Sequence, residues 1–255
     1  MDELEPTRDA LFGGRVVLYQ PPRGTGYRTN VDALLLADFA TAGRRAGVAF
    51  DLGAGVGAVG LCLLWLDAAQ RVIFVELDRF AAGLAARNLD ANGWTDRASA
   101  VCADVKEAAE TRRGLGDLIV CNPPYVSPGR GRVAPSETLA RSGDLARFAQ
   151  AARQLAGRHA RCCFVYPASE LGRLLATLSA EGLHAKRLRF VHASCEAPAR
   201  IVLVEAIAGR PGGLAVIPAL VERHADGYTD EMGAIFQRAP SNRSSAMAHA
   251  ARTLK

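Results

Sequence analysis

A short proline-rich segment, Cys-Asn-Pro-Pro-Tyr at residues 121–125, has the residue types best suited to chemistry in this chain. The apolar run that ends at its cysteine predicts a β-strand over residues 117–121. Each proline biases the residue before it towards an extended backbone, so the carbonyl groups of Asn122 and Pro123 are expected to be free to accept hydrogen bonds. With the flat ring of Tyr125 beside them, these acceptors form a site that can hold a planar amino group.

A glycine-rich turn lies upstream, at residues 51–60, directly after another apolar run. Glycines at this position let a ligand approach the backbone at the start of a helix. Glu76, at the end of the next predicted strand, is placed to accept hydrogen bonds from ribose hydroxyls. The glycines fit two patterns: GxGxG at Gly53, Gly55 and Gly57, and the dinucleotide fingerprint GxGxxG at Gly55, Gly57 and Gly60.

Three polar residues at predicted strand ends distinguish between two cofactors that bind at such turns. Asp51 stands beside the glycines, where its charge suits an ammonium group and would repel a pyrophosphate. Asp104 ends the third strand, where a carboxylate can accept a hydrogen bond from an adenine amino group. Asn122 follows the fourth strand, at the edge where such sheets bind ligands. Together they favour S-adenosylmethionine over NAD, and an NAD-dependent oxidoreductase remains the alternative from another class.

Apolar runs and helical periodicity alternate along the chain, which predicts an α/β, Rossmann-like fold. Its sheet is expected to be seven-stranded and mostly parallel, with helices on both faces and an antiparallel last strand, because only a short loop joins the final two strands. The strands are expected at residues 47–52, 71–77, 98–103, 117–121, 162–167, 188–191 and 200–206. The helices are expected at residues 56–66, 79–92, 144–155 and 169–179.

The chain divides into three predicted parts. Residues 1–45 form an N-terminal extension with an alternating, edge-type strand and a helix capped by Thr29 or Asn30. Residues 46–237 form the α/β domain. Residues 238–255 form a mobile C-terminal tail with too few large apolar side chains to pack against a core.

Charge, apolar runs and cysteine spacing indicate which kinds of partner and location to expect for this chain. The 255 residues have a formal net charge of +5, which is compatible with a polyanionic partner. The chain has no apolar run long enough for a membrane span and no secretory signal at its start, so we expect a cytoplasmic protein without a membrane partner. The six cysteines show no metal-ligand spacing, so we expect reduced thiols and no metal.

The glycine turn and the complete Asn122-Pro123-Pro124-Tyr125 motif resemble those of class I S-adenosylmethionine-dependent methyltransferases that act on amino groups, whose active site has an [ND]PP[YFW] motif. The segments at residues 20–39 and 227–236 are similar to the tRNA adenine-N6 methyltransferases that modify the adenine beside the anticodon of a valine tRNA. The resemblance covers roughly residues 10–237. It implies N6-methylation of adenine in RNA, with tRNA adenine 37 as the target, S-adenosylmethionine as cofactor and tRNA as partner.

The resemblance also implies roles for individual residues. Catalysis is assigned to Asn122, Pro123 and Tyr125. Cofactor binding is assigned to Asp51, Gly53, Gly55, Gly57, Glu76, Asp104, Asn122 and Thr29. Substrate binding is assigned to Pro124, Tyr125, Tyr27 and Arg28, with Asp32 bordering the substrate mouth. The family pattern has an arginine followed shortly by a glutamate after the motif, but residues 140–143 here are Ala-Arg-Ser-Gly. The chain therefore departs from the family pattern in a segment expected to contact the substrate.

Other substrates use the same chemistry. Glutamine N5-methylation of peptide chain release factors is the nearest alternative, followed by adenine N6-methylation of rRNA or DNA. Arginines near the active edge are candidate phosphate contacts: Arg130, Arg132, Arg141, Arg187 and Arg189.

Overall fold

The computed structural model describes residues 5–25, 28–123 and 145–240. Its strands in chain order are β1 (Thr7–Leu11), β2 (Val16–Gln20), β3 (Ala46–Leu52), β4 (Ala69–Glu76), β5 (Ala98–Cys102), β6 (Gly116–Cys121), β7 (Ala156–Pro167), β8 (Leu183–His192), β9 (Ala199–Ala208), β10 (Ala215–Val216), β11 (Leu220–Val221), β12 (Arg223–His224) and β13 (Gly227–Tyr228). Its helices are α1 (Val31–Ala40), α2 (Ala58–Trp65), α3 (Arg79–Ala91), α4 (Val105–Thr111), α5 (Leu145–Leu155), α6 (Leu171–Ala180) and α7 (Asp230–Phe236), with a 3-10 turn at Ala168–Glu170 before α6.

The central sheet confirms the predicted fold class. Within the described residues it runs in the order β10-β8-β9-β7-β6-β3-β4-β5, with β11 also paired to β8. Of the seven long strands, β9 is antiparallel to both of its neighbours, β7 and β8, and the others are parallel. The predicted antiparallel last strand is therefore β9, inserted between β7 and β8.

The strand and helix limits differ from the expectation where the sequence is polar. β7 begins at Ala156 and β8 at Leu183, several residues before their apolar runs. Ala156 already pairs with Gly116 on β6, and half-buried polar positions of β8 such as His184 pair with β9. The short helix α4 lies outside the predicted set, since seven residues show little periodicity. β10 and β11 extend the sheet beyond the seven predicted strands.

Two apolar layers cover the two faces of the sheet. Helices α1, α2 and α3 enclose one core, in which the ring of Phe74 is fully buried. Helices α4, α5 and α6 enclose the other, around Phe50 and Phe164. Helices on both faces are what a mostly parallel sheet requires, because its strands are apolar on both sides.

The predicted N-terminal strand is β2, which pairs with β1 in an antiparallel hairpin separate from the central sheet. Its free edge docks on α3 through two asparagines one helical turn apart. Asn88 bonds the backbone N–H and C=O of Tyr19 at 2.6 and 3.0 Å, and Asn92 bonds those of Val17 at 2.9 and 2.8 Å. The amides thus replace a neighbouring strand, and we call this contact the asparagine clasp.

The beginning of the predicted tail is anchored to the domain. Trp65 Nε1 donates to the Arg238 carbonyl at 2.8 Å, and the Arg238 guanidinium forms an ion pair with Asp38. Residues 241–255, the rest of the predicted tail, lie outside the described residues. In the described part of the chain, no helix has the length and apolarity to cross a membrane.

Candidate active site

The register of the parallel strands brings several predicted residues to one edge of the sheet. Leu52 on β3 pairs with Val75 on β4 and with Cys121 on β6. The next residue on each of these strands is therefore at the same level: Gly53, Glu76 and Asn122. This carboxyl edge is where ligands bind in open α/β sheets.

The glycine turn has the backbone conformation that its sequence predicts. Gly53, Gly55 and Gly57 all have positive φ angles, of 66°, 55° and 85°, which other residue types rarely adopt. A Cβ at Gly55 would meet no atom of the described residues within 4 Å, so these residues leave the backbone open to a ligand there. A Cβ at Gly60 would lie 2.0 Å from the Phe74 ring, so the fourth glycine permits α2 to pack on β4.

Asp51 is a buried carboxylate with no cationic partner among the residues that the structure describes. It is 1% exposed, and its Oδ2 accepts a hydrogen bond from the Gly60 N–H at 2.8 Å. Burial raises the pKa of Asp51 from its usual range to about 7, the Gly60 hydrogen bond opposes this shift, and the charge of Glu76 adds to it. A cationic ligand beside Asp51 would offset the cost of ionising it.

Glu76 holds the glycine turn in place. Its Oε2 accepts from the Gly55 N–H at 2.7 Å and its Oε1 from the Asp78 N–H at 2.8 Å. Each carboxylate oxygen can accept a second hydrogen bond. Glu76 can therefore fix the loop and still receive two donors from a ligand such as a pair of hydroxyls.

Asp104 caps α4, accepting from the Lys106 N–H at 2.9 Å. Its Oδ2 also pairs with Arg147 Nη2 at 2.6 Å, and the Arg147 side chain is half exposed. The ion pair joins the start of α5 to the carboxyl edge. Sequence reasoning missed Arg147, because nothing in its local pattern separates it from a solvated helical arginine.

The proline motif leaves the sheet beside the glycine turn. Asn122 is half-buried and Pro123 is buried, directly after β6. Pro124 and Tyr125 lie outside the described residues, as does Tyr27. Of the motif, the structure thus gives the position of its amide and its first proline.

The segment before α1 is fixed by the N-terminal hairpin. The Thr29 N–H donates to Gln20 Oε1 at 2.8 Å, and Arg28 pairs with Asp9 at 2.6 Å. The guanidinium of Arg28, a predicted substrate contact, is directed at β1. Asn30 caps α1 by accepting from the Asp32 N–H at 3.0 Å, which resolves the choice between the two predicted caps.

Asp32, expected at the substrate mouth, belongs to a buried ionic cluster. It pairs with Arg200 at 2.6 Å, and Arg200 also bonds Glu222 through Nε at 2.8 Å.

Among the arginines considered as phosphate contacts, Arg187 pairs with Glu205 at 2.9 Å and Arg189 with Glu231 at 2.6 Å. Both guanidinium groups thus have a carboxylate partner within the protein, and their role as phosphate contacts stays a prediction. Residues Arg130, Arg132 and Arg141 lie outside the described residues.

The carboxyl edge fits S-adenosylmethionine. In the described part of the chain, Asp51 is a buried acid without a cation, which suits the amino group of the methionine part, and the backbone at Gly55 permits close approach. The spare acceptor capacity of Glu76 suits a ribose.

Comparison with known proteins places the chain in a family. Residues 29–144 match the model of the methyltransferase small domain. The tRNA1(Val) (adenine(37)-N6)-methyltransferase of Shewanella halifaxensis is 31% identical over 188 residues, which cover 70% of this chain and 74% of that protein. The Erwinia tasmaniensis protein of the same name is 32% identical over 64% of this chain and 67% of its own length.

Solved structures confirm the fold. A protein described as a predicted O-methyltransferase from Agrobacterium tumefaciens has a TM-score of 0.66 at 22% identity, covering 82% of this chain and 97% of that one. TYW2 from M. jannaschii, solved with S-adenosylmethionine, has a TM-score of 0.55 at 13% identity, covering 81% and 87%. The chain is an S-adenosylmethionine-dependent methyltransferase and not an NAD-dependent oxidoreductase. By its sequence it belongs to the family of the tRNA1(Val) (adenine(37)-N6)-methyltransferases.

Proposed function

We propose that this enzyme methylates N6 of an adenine in RNA, with adenine 37 in the anticodon loop of tRNA(Val) as its target. The observation that carries the proposal is the position of Asn122, which leaves β6 at the level of Gly53 and Glu76. An acceptor for an amino group thus lies beside the proposed cofactor site. The names of the relatives supply the substrate.

The proposed chemistry depends on two acceptors. The N6 lone pair of adenine is delocalised into the ring, so it is a poor nucleophile until its hydrogens are held out of plane. The Asn122 Oδ1 and the Pro123 carbonyl oxygen accept those two hydrogens and stabilise the positive charge that develops on the nitrogen. Asparagine cannot take up a proton at neutral pH, so its role is positioning, and the proton leaves to water.

The other motif residues complete the substrate pocket in this proposal. Tyr125 stacks on the base, a contact typically worth about 1–3 kcal/mol, and Pro124 stiffens the chain beside it. Tyr27 and Arg28 border the mouth of the pocket. The base must leave its stack to enter, which costs least in a loop. Because tRNA is a cytoplasmic molecule, the proposal carries a cytoplasmic location with it.

The cofactor contacts are proposed residue by residue. S-adenosylmethionine, when bound, supplies an electrophilic methyl group on a sulfonium. Asp51 and the glycine turn (Gly53, Gly55 and Gly57) bind its methionine part and Glu76 binds its ribose. Asp104 binds its adenine, and Thr29 and Asn122 border the methionine part.

Mass spectrometry of nucleosides tests the proposal. The enzyme is incubated with labelled S-adenosylmethionine and unmodified tRNA(Val), and labelled N6-methyladenosine is expected at position 37. Asn122→Ala should lower the rate on the order of a hundredfold, because one preorganised transition-state contact is lost. Asn122→Asp is the matched variant, since it keeps an oxygen acceptor at the same position and should retain more activity than alanine.

Parallel reactions with a release factor, rRNA and DNA separate the alternative substrates. Label in the release factor and none in RNA would overturn the RNA assignment. Label in tRNA at another position would overturn the choice of adenine 37.

A further inference from the structure

The glycine turn is held at a single peptide group by two opposing hydrogen bonds. The Gly57 N–H donates to the Ala54 carbonyl at 2.8 Å. On the other side of the same peptide group, the Val56 carbonyl accepts from Asn88 Nδ2 at 2.9 Å. The orientation of this peptide, and with it the path of the turn, therefore depends on a side chain from α3.

Asn88 uses its whole amide in this contact. It is 0% exposed. Its Oδ1 accepts from the Tyr19 N–H, one amide hydrogen goes to the Tyr19 carbonyl, and the other goes to the Val56 carbonyl. Only an amide supplies one acceptor and two donors from a single short side chain. Asn88 thus joins the N-terminal hairpin to the glycine turn.

Asn92 provides an internal comparison. It makes the same pair of bonds to β2, at Val17. Its remaining amide hydrogen goes to the Asn88 carbonyl of its own helix, at 2.7 Å, and not to the glycine turn. The two asparagines therefore share the hairpin contact and differ in the third partner.

The hairpin also contacts the segment before α1, which includes the predicted cofactor residue Thr29. Gln20 at the end of β2 accepts from the Thr29 N–H, and Asp9 on β1 pairs with Arg28. The same two-stranded unit therefore contacts the segment before α1 and, through Asn88, the glycine turn.

We propose that Asn88 is a positioning residue for cofactor binding, through which the docked N-terminal hairpin sets the conformation of the glycine turn. Asn88 acts on the Val56–Gly57 peptide and has no role in the chemistry of transfer. The proposal rests on the methyltransferase assignment and not on the RNA substrate, since cofactor binding can be measured without RNA.

The test compares Asn88→Ala with Asn92→Ala in the full chain. Both variants lose two hydrogen bonds to β2, so both should lower the midpoint of chemical denaturation by similar amounts. The dissociation constant for S-adenosylmethionine, measured by calorimetry, should rise about five- to tenfold in Asn88→Ala and stay within about twofold of wild type in Asn92→Ala. Hydrogen exchange at the Gly57 amide should accelerate only in Asn88→Ala.

An equal rise of the dissociation constant in both variants would overturn the proposal, because hairpin docking alone would then explain the effect. An unchanged constant in Asn88→Ala would overturn it as well. Should Asn88→Ala fail to fold, Asn88→Ser, which removes the amide and leaves a smaller cavity, is measured in the same way with the same criteria. A variant that binds the cofactor normally but no longer methylates tRNA would count against the positioning role and leave the substrate assignment intact.

Discussion

Two aspartates in this protein are equally buried and yet have opposite surroundings. Asp51 and Asp32 are each 1% exposed. Asp32 has the guanidinium of Arg200 at 2.6 Å, whereas Asp51 has a backbone N–H, and burial raises its pKa to about 7. A buried carboxylate is costly unless a positive charge compensates it. The protein compensates Asp32 itself, and the position of Asp51 suits compensation by a ligand.

The contrast extends to two glutamates. Glu205 lies between Arg161 and Arg187, at 3.3 and 2.9 Å, inside the junction of α1 with the sheet. Glu76 holds backbone N–H groups at the carboxyl edge, among them that of Gly55. In these two pairs of acids, Asp32 and Glu205 face arginines and hold elements together, while Asp51 and Glu76 face backbone donors at the strand ends and shape the site. Asp104 combines both kinds of contact, since it caps α4 and pairs with Arg147.

The largest expected effect comes from removing the charge of Asp51. Asp51→Asn should keep the hydrogen bond from Gly60 and raise the dissociation constant for S-adenosylmethionine on the order of a hundredfold, because the ligand cation loses its partner. Stability at pH 8 should stay the same or increase, since a buried charge is removed. Calorimetry and chemical denaturation measure the two quantities.

Asp117→Asn is the control for this variant. Asp117 also accepts from backbone N–H groups, those of Gly47 and Val48 at 2.9 and 3.0 Å, but it lies at the opposite edge of the sheet. Cofactor binding should be unaffected there. If the two variants lost affinity for S-adenosylmethionine equally, the loss would not be specific to the charge of Asp51.

Removing the arginine from the other aspartate should affect stability. Arg200→Met removes the guanidinium that pairs with the buried Asp32 and should lower the free energy of unfolding by about 2–3 kcal/mol, a buried-pair value reduced because Arg200 is partly exposed. Arg189→Met, which breaks the pair with the half-exposed Glu231, should cost under about 1 kcal/mol. If denaturation curves show equal losses of unfolding free energy for the two variants, the pair between Arg200 and Asp32 stabilises the protein no more than the pair between Arg189 and Glu231.

The smallest effect is a dependence of cofactor affinity on pH. Because the pKa of Asp51 in the folded protein is raised to about 7, the carboxyl is mostly protonated at pH 6. Affinity for the cationic ligand should therefore rise with pH through 7, by about tenfold from pH 6 to pH 8, and then level off. Titrations at these pH values measure it, and Asp51→Asn should flatten the curve. The same raised pKa should make wild-type stability fall as pH rises from about 4 to about 7.

The helices and strands were predictable where their packing against the core produces a regular pattern of apolar residues in the sequence. Parallel strands such as β3 and β6 are buried on both faces and read as apolar runs, and α3 shows helical spacing. The start of β7 at Ala156, the polar first half of β8 and the edge strands β10 and β11 carry no such signal, because their pairing partners come from distant parts of the chain. The helix α4 is too short to show a clear helical period.

The residues of the candidate site also fall into those that the sequence could predict and those that it could not. Asp51, Gly55, Glu76 and Asn122 were predictable because strand ends in a parallel sheet meet at one edge. Asn88 was not: its role depends on two partners, Tyr19 and Val56, that lie 69 and 32 residues away. The only local signal was two asparagines four residues apart, at the end of an amphipathic helix and at its C-cap.

The sequence alone determined an α/β chain with a glycine turn after one strand and a proline motif after another, because local backbone chemistry and hydrophobic period depend on neighbouring residues. The methyltransferase activity came from the resemblance of these motifs to a known family. The tertiary structure decided which charged side chains form ion pairs within the protein, at Asp32, Arg187 and Arg189, and which buried acid has a raised pKa, at Asp51. Burial and ion pairing depend on groups brought together from distant parts of the chain, so only the folded arrangement can assign them.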